Sequence, residues 1–353
     1  MKKIKLGDCA TFINGYAFKP SDWKKIGTPI VRIQDLTGSM QNPNFYDGNL
    51  DEKYMIDNGD ILISWSGSLG IYEWNKGKAY LNQHIFKVEF DKIEFNKRYF
   101  VYLIKSKINE MLKNVHGSTM KHITKKNFDK IQIELHSLER QQEIAQKLDI
   151  IQKIIDIRKK QIEELEQLIK SQFVEMFGDI KSNDKNWKTK NGSELFIFSS
   201  GKSNKTSNLS SNFEYKCYGG NGITGLSKDY LIDYDTIVIG RVGAYCGSVH
   251  TTEGKVWITD NAIYIKELKE DYNIKFLKEL FEVIDFHRFA NFSGQPKITQ
   301  QPLQNYSYIL PPIELQNQFA DIVKQIDKQK FEIQKNLEEM QKLQESLMNK
   351  YFG

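Results

Sequence analysis

The chain has 353 residues, 40% of them hydrophobic and 27% charged, with a formal net charge of +5. This length suits two or three domains with proper cores, and the sequence has no apolar run near the roughly 20 residues that a membrane span needs. The N-terminal MKKIKLGDCATF carries lysines without a signal-peptide apolar stretch. Cys9, Cys217 and Cys246 have no paired spacing, which argues against a disulfide framework or a zinc site and leads us to expect a cytoplasmic protein.

Residues 1–136 read as short β runs separated by turns, among them GDILISW (59–65), HIFKVEF (84–90) and KIQIEL (130–135), with one helix at RYFVYLIKSKINEMLKNV (98–115). From 137 to 178 the apolar positions step by three and four through Ile144, Leu148, Ile151, Ile155, Ile162, Leu165, Ile169 and Met176. A seven-residue pattern held this long predicts a coiled-coil helix, with Ser137 as its N-cap. Residues 179–311 return to β runs, DTIVIGR (235–241), NAIYIKEL (261–268) and YSYIL (306–310), with a helix predicted over 274–292. A second long helix over 312–353 follows Pro311 and Pro312, with a stripe of Phe319, Val323, Ile326, Ile333, Leu337, Met340, Leu347 and Tyr351.

The second half repeats the first. At an offset of 175 residues Ile298 answers Ile123, and Thr299, Leu310, Glu314, Gln316 and Ala320 answer Thr124, Leu135, Glu139, Gln141 and Ala145. A period this long marks duplicated domains rather than a solenoid. Polar intrusions alternate between the helical stripes, Arg158 aligning with Ile333 and Ile155 with Lys330, so the helices look made for each other. Chain connectivity then makes the pair antiparallel. The expected fold is α+β: two similar domains of mixed, twisted β-sheet with helices, at opposite ends of an antiparallel two-helix coiled coil, related by a pseudo-two-fold axis. The alternative is that each helix packs on its own domain or on another subunit.

Apparent catalytic motifs fail. Gly220, Gly222 and Gly225 match G-x-G-x-x-G, but turn and strand follow where a phosphate-binding helix is required. SGKS (200–203) lacks the first P-loop glycine, since 196 is Phe196. Leu310 in LPPI stands where an amino-methyltransferase needs Asn or Asp, and Asp235, Glu253 and Lys255 form a nuclease-like triplet that the first half does not repeat. The six histidines, at 84, 116, 122, 136, 250 and 287, have no metal-ligand spacing. No catalytic or metal site is expected.

The phrases GDILISWSGSLG and TIVIGRVGAYCGSV, then LNQHIF and TDNAIY, then STMKHITKKNF and GQPKITQQPL, then LHSLERQQEIA and LPPIELQNQFA, resemble type I restriction-modification specificity subunits over nearly the whole chain. The resemblance implies two DNA target-recognition domains, 1–136 and 179–311, separated by helices 137–178 and 312–353. Each domain would read half of a bipartite, asymmetric double-stranded DNA site. The helices would set the gap and dock two modification (methyltransferase) subunits and, through the complex, restriction subunits in phage defence. It further implies a non-catalytic chain, with S-adenosylmethionine, ATP and Mg belonging to the partner subunits. LHSLE replaces LPPIE in the first half, and the chain is short for the family. The reading from another class is a bivalent coiled-coil protein adaptor without sequence-specific DNA binding.

DNA reading needs cations and amides on phosphates, which position, and hydrogen-bonding side chains on base edges, which specify. Lys121, His122, Lys125 and Lys126 with Ser118 and Thr119 form a dense basic cluster suited to phosphate. Arginine is scarce, so Arg32, beside Gln34, and Arg241 stand out as guanine readers. The expected contacts are Arg32, Gln34, Ser64, Trp65, Ser66, Gln83 and His84 for one half-site. For the other they are Tyr218, Gly219, Gly220, Asn221, Arg241, Tyr245, Asp260, Asn261, Gln295 and Lys297.

Overall fold

The computed structural model describes residues 2–39, 42–113, 125–204 and 208–353. In the first half these form β1 (Lys2–Lys5), β2 (Thr11–Asn14), β3 (Thr28–Val31), α1 (Ile33–Thr37), β4 (Asn44–Tyr46), β5 (Met55–Ile56), β6 (Ile61–Ser64), β7 (Gly70–Glu73), β8 (Ala79–Leu81) and β9 (Ile85–Glu89). There follow α2 (Lys97–Lys113), α3 (Lys125–Asp129), β10 (Gln132–Leu135) and the long helix α4 (Leu138–Phe177). The second half contains β11 (Thr189–Asn191), α5 (Gly192–Leu195), β12 (Phe196–Ser200), β13 (Tyr215–Gly219), β14 (Gly222–Ser227), β15 (Ile237–Gly240), β16 (Val249–Thr251), β17 (Val256–Ile258) and β18 (Ala262–Leu268). It ends with α6 (Ile274–Ile284), α7 (Gln300–Asn305), β19 (Ser307–Ile309) and the long helix α8 (Ile313–Phe352).

The chain folds as two compact units, Met1–Arg158 with Asn336–Gly353, and Lys159–Lys335, so each long helix gives part of its length to each unit. The first unit has sheets in the orders β2-β9-β6-β7, β4-β3-β8-β5 and β1-β10. The second has the counterparts β12-β18-β15-β16, β11-β19 and a three-stranded β14-β13-β17, in which the isolated bridge between Ile232 and Val256 stands where β5 pairs with β8. The parallel pair β3–β8 has its counterpart in β13–β17.

Alternation along the central strands explains why both sheet faces are covered. Successive strand side chains point to opposite faces. Ile61 and Ile63 of β6 therefore join a core with Phe12, Phe86 and α2, while Leu62 joins a separate cluster with Val31 and Leu81. In β15, Ile237 and Ile239 pack against α6 through Phe276 and Phe281, and Val238 faces Tyr218 and Ile258. The turns that follow β3, β6, β8, β13, β15 and β17 carry the candidate contacts.

The long helices pair with each other and also pack on the domains. In the first unit, Gln344 Nε2 donates to Gln152 Oε1 at 2.9 Å and Arg158 Nε donates to Asn336 Oδ1 at 3.1 Å, an antiparallel register. In the second, Lys330 bonds Glu166 at 2.7 Å and Phe319 meets Phe173 at 5.6 Å between ring centroids. The polar intrusions in the two stripes thus find partners across the pair. Ile144, Leu148, Ile151, Ile155, Ile169, Phe319, Val323, Ile326 and Leu337 are buried, and Ile162, Leu165, Ile333, Met340 and Leu347 half-buried. Towards the end of α4 the seam moves from the expected Met176, which is half-buried, to Phe173 and Phe177, which are fully buried. A straight helix drifts about 20° per heptad against a strict 3.5-residue repeat, and over five heptads that drift selects new positions.

A second departure concerns α6, which stops at Ile284 rather than running to 292. Asp285 takes a left-handed conformation (φ 57°), and its carboxylate accepts from the His287 N–H at 3.2 Å, which reverses the chain into the short turn Phe286–Phe289.

No helix among the described residues is long and apolar enough to cross a membrane. All three cysteines are buried free thiols, and burial pushes Cys9 up to about 12 and raises Cys217 and Cys246 above the usual thiol range. Since the thiolate is the reactive form, the native protein at pH 8 should react very slowly with a chromogenic disulfide reagent and release three equivalents in denaturant. Rapid native reaction of even one equivalent would contradict this packing.

Candidate nucleic-acid interface

In the second unit, four chain segments meet at the carboxyl end of β15. The Arg241 N–H donates to the Asn261 carbonyl at 2.9 Å, the Ile298 N–H to the Arg241 carbonyl at 2.9 Å, and the Gly243 N–H to the Pro296 carbonyl at 2.9 Å. The Thr259 N–H donates to Tyr218 O at 2.8 Å, and Ser248 Oγ to Gly220 O at 2.7 Å. These bonds lock residues 218–221, 240–248, 259–261 and 295–298 into one frame. Gly240 is required there, because a Cβ would run into the carbonyls of Gly220 and Tyr245.

From this frame Asn221, Tyr245, Asp260, Asn261, Gln295 and Lys297 are exposed, and Arg241 and Gly220 half-buried. Arg241 is braced by a bond from Nη1 to the Asp260 carbonyl at 3.3 Å. His250 lies against Gly222 and is hydrogen-bonded to Ser248 Oγ at 3.3 Å, and burial holds it below its ordinary pKa. The side chains brought together are amides, a guanidinium, a phenol, a carboxylate and an ammonium, the donor and acceptor set that reads base edges and phosphates.

Among its described residues the first unit repeats part of this frame. Trp65 N–H to His84 O (3.3 Å) corresponds to Arg241 to Asn261, and Asn82 N–H to Val31 O (3.1 Å) corresponds to Thr259 to Tyr218. Gly15 N–H to Ile85 O (3.1 Å) and Tyr16 N–H to Leu81 O (2.7 Å) correspond to Gly201 to Ala262 (3.1 Å) and Lys202 to Ile258 (2.9 Å). Trp65 therefore stands where Arg241 stands, and His84 where Asn261 stands. Trp65 is fixed by a bond from Nε1 to Asn14 Oδ1 at 3.1 Å and by the edge of His84 at 5.3 Å. Arg32 stacks on Trp23, 5.0 Å from its ring centroid, and Gln34 is exposed on α1. Burial lifts Asp35 above the ordinary carboxylate range, while the Arg32 N–H bonded to it at 2.8 Å acts the other way.

Some expected contacts are placed inside instead. Ser64 is 1% exposed, its hydroxyl donating to the Ser68 carbonyl, and Ser66 is 8% exposed. Tyr218 is 5% exposed within an apolar cluster, and Gly219 is buried. These four shape the frame from behind; Gln83 is half-buried and His84 exposed. Lys125 and Lys126 are exposed on α3, which Phe128 anchors in the core. Ser118, Thr119, Lys121 and His122 lie outside the described residues. Asn14, Trp23 and Phe292 lie outside the contacts expected from the sequence. The equivalent glycines Gly15 and Gly201, each pressed against backbone carbonyls, were the signal for Asn14, but they are 186 residues apart rather than 175 and so fall out of the repeat register.

The family model for the type I restriction modification DNA specificity domain matches residues 1–167 and 184–342. The chain is 28% identical to the EcoBI specificity subunit of Escherichia coli over 170 residues, covering 48% of this chain and 36% of that protein. It is 25% identical to the MjaVIII specificity subunit of Methanocaldococcus jannaschii, covering 85% and 79% of the two chains. The match thus spans well under two thirds of the Escherichia coli relative. Among solved structures it shares the fold of a type I restriction-modification S subunit from M. genitalium, with a TM-score of 0.65, 17% identity and coverage of 100% and 96%. It also shares the fold of a chain from work on assembly and conformational transition of the type I R-M system, with a TM-score of 0.58, 16% identity and coverage of 99% and 97%. Each half that builds the strand-end frame is matched in its own right, and the chain belongs to the type I restriction-modification DNA specificity family, whose domain it carries twice.

Proposed function

We propose that this chain is the DNA specificity subunit of a type I restriction-modification complex, each unit reading one half of a bipartite, asymmetric site. The observation that carries the reading is the repeated frame: the same backbone bonds hold Trp65 and His84 in one unit and Arg241 and Asn261 in the other. Similar scaffolds with different side chains are what two different half-sites require. Phosphate contacts from Lys125, Lys126 and Lys297 position the duplex, and the frame side chains specify. The long helices hold the gap between half-sites and dock two modification subunits, with restriction subunits joining through the complex. Catalysis, and with it S-adenosylmethionine, ATP and Mg, resides in those partners.

Mapping methylated adenine genome-wide, in a host carrying this chain with its modification subunit and again without it, tests the reading. A new motif of two short half-sites with a fixed unspecified gap is the expected outcome. No chain-dependent methylation, with both subunits present and associated, together with only weak, salt-abolished gel shifts, would favour a protein adaptor instead.

A further inference from the structure

Just past α6 the chain builds a small closed loop. The Asn291 N–H donates to Lys297 O at 2.9 Å, and the Lys297 N–H returns the bond to Asn291 O at 3.2 Å. Asn291 Oδ1 accepts from the Ser293 N–H at 2.9 Å, which fixes the first turn, and the Gly243–Pro296 bond ties the far arm to the Arg241 segment. On this loop Phe292 is 59% exposed. It is nonetheless held: its ring meets the His287 ring edge-on at 5.3 Å, and His287 Nδ1 is bonded to the Cys246 carbonyl at 2.9 Å. Gln295 shares the loop, with its amide beside Gly243.

We infer that Phe292 recognises a thymine through its 5-methyl group in the half-site read by the second unit. The inference rests on the DNA-reading function proposed above and assigns one base identity to one side chain. The thymine methyl is the apolar group that the major groove presents, and phenylalanine is suited to pack on it. A glutamine on the same loop matches the adenine edge, and Lys297 supplies a cation for phosphate, so the loop as a whole suits an A·T-containing step. At the 175-residue offset Gly117 occupies this position in the first half, which confines the recognition to one half-site.

The test uses the chain assembled with its modification subunits and duplexes in which each thymine of the mapped half-sites is replaced singly by uracil, which removes only the methyl group. At one position in one half-site, uracil should weaken binding roughly fourfold, the worth of about one buried methylene. In Phe292→Ala that difference should vanish, and in Phe292→Leu it should persist. A wild-type complex indifferent to every uracil overturns the inference, as does an equal loss in wild type and Phe292→Ala. Arg241→Ala separates the two levels. If it alters the methylation motif while the uracil series is flat, only the thymine assignment fails. If it changes nothing either, the assignment of Arg241 as a reader fails as well, whereas the DNA-reading function fails only if no chain-dependent bipartite motif is mapped.

Discussion

Replacing Arg241 by alanine should relax recognition at one base pair of one half-site and leave the other half-site and the gap unchanged. The argument is geometric. Arg241 is held at both backbone ends, its N–H to Asn261 and its carbonyl to Ile298, so truncating the side chain leaves the frame standing. A guanidinium presented this way can grip guanine O6 and N7 together, and such a bidentate contact contributes about 1–3 kcal/mol of discrimination, roughly five- to 150-fold. Lys125→Ala supplies the contrast. It sits exposed on α3, so its loss should weaken all sequences alike and reduce the slope of log affinity against log salt by about one. Equilibrium binding on a library of half-site variants, at two salt concentrations, reads both effects. If Arg241→Ala weakened every sequence evenly, the residue would be a phosphate contact and not a reader.

How much of this was legible beforehand varies with the physics involved. The β runs were plain because Ile61-Leu62-Ile63 and Ile237-Val238-Ile239 serve two cores at once, and a strand buried on both faces must be continuously apolar. The antiparallel helix pair followed from connectivity and the alternating intrusions. The end of α6 was not legible, because Phe286, Phe289 and Phe292 continue the helical spacing and only the backbone at Asp285 interrupts it. At the strand ends, the sequence named turns that the structure brings together in one frame but could not say which side chains in them face out. Ser64 and Trp65 are adjacent, yet one hydroxyl closes its own turn while the neighbouring indole reaches across to Asn14. That choice depends on the twist at the strand end, which no local pattern records.

Gln316 and Gln141, paired in the sequence only as identical residues at the repeat offset, predict the largest stability effects. They are 0% and 2% exposed. Gln316 Oε1 accepts from the Asn273 N–H at 3.0 Å, and its Nε2 donates to the Pro311 carbonyl at 2.9 Å. Gln141 does the same with Asn96 at 3.0 Å and His136 at 3.1 Å. Each amide clips the start of a domain helix, α6 or α2, to the first turn of a long helix. Gln316→Leu keeps most of the volume but strands one buried donor and one buried acceptor, each costing about 1–3 kcal/mol. A loss of about 2–5 kcal/mol is expected in urea unfolding of the second unit. Gln316→Glu discriminates polarity from packing. Burial raises a carboxyl pKa, and the protonated form can both accept from Asn273 and donate to Pro311. This variant should therefore approach wild-type stability at acid pH and lose stability as pH rises, whereas the leucine variant's deficit should be independent of pH. If leucine were tolerated within about 0.5 kcal/mol at every pH, the clip would not be holding the domain to its helix.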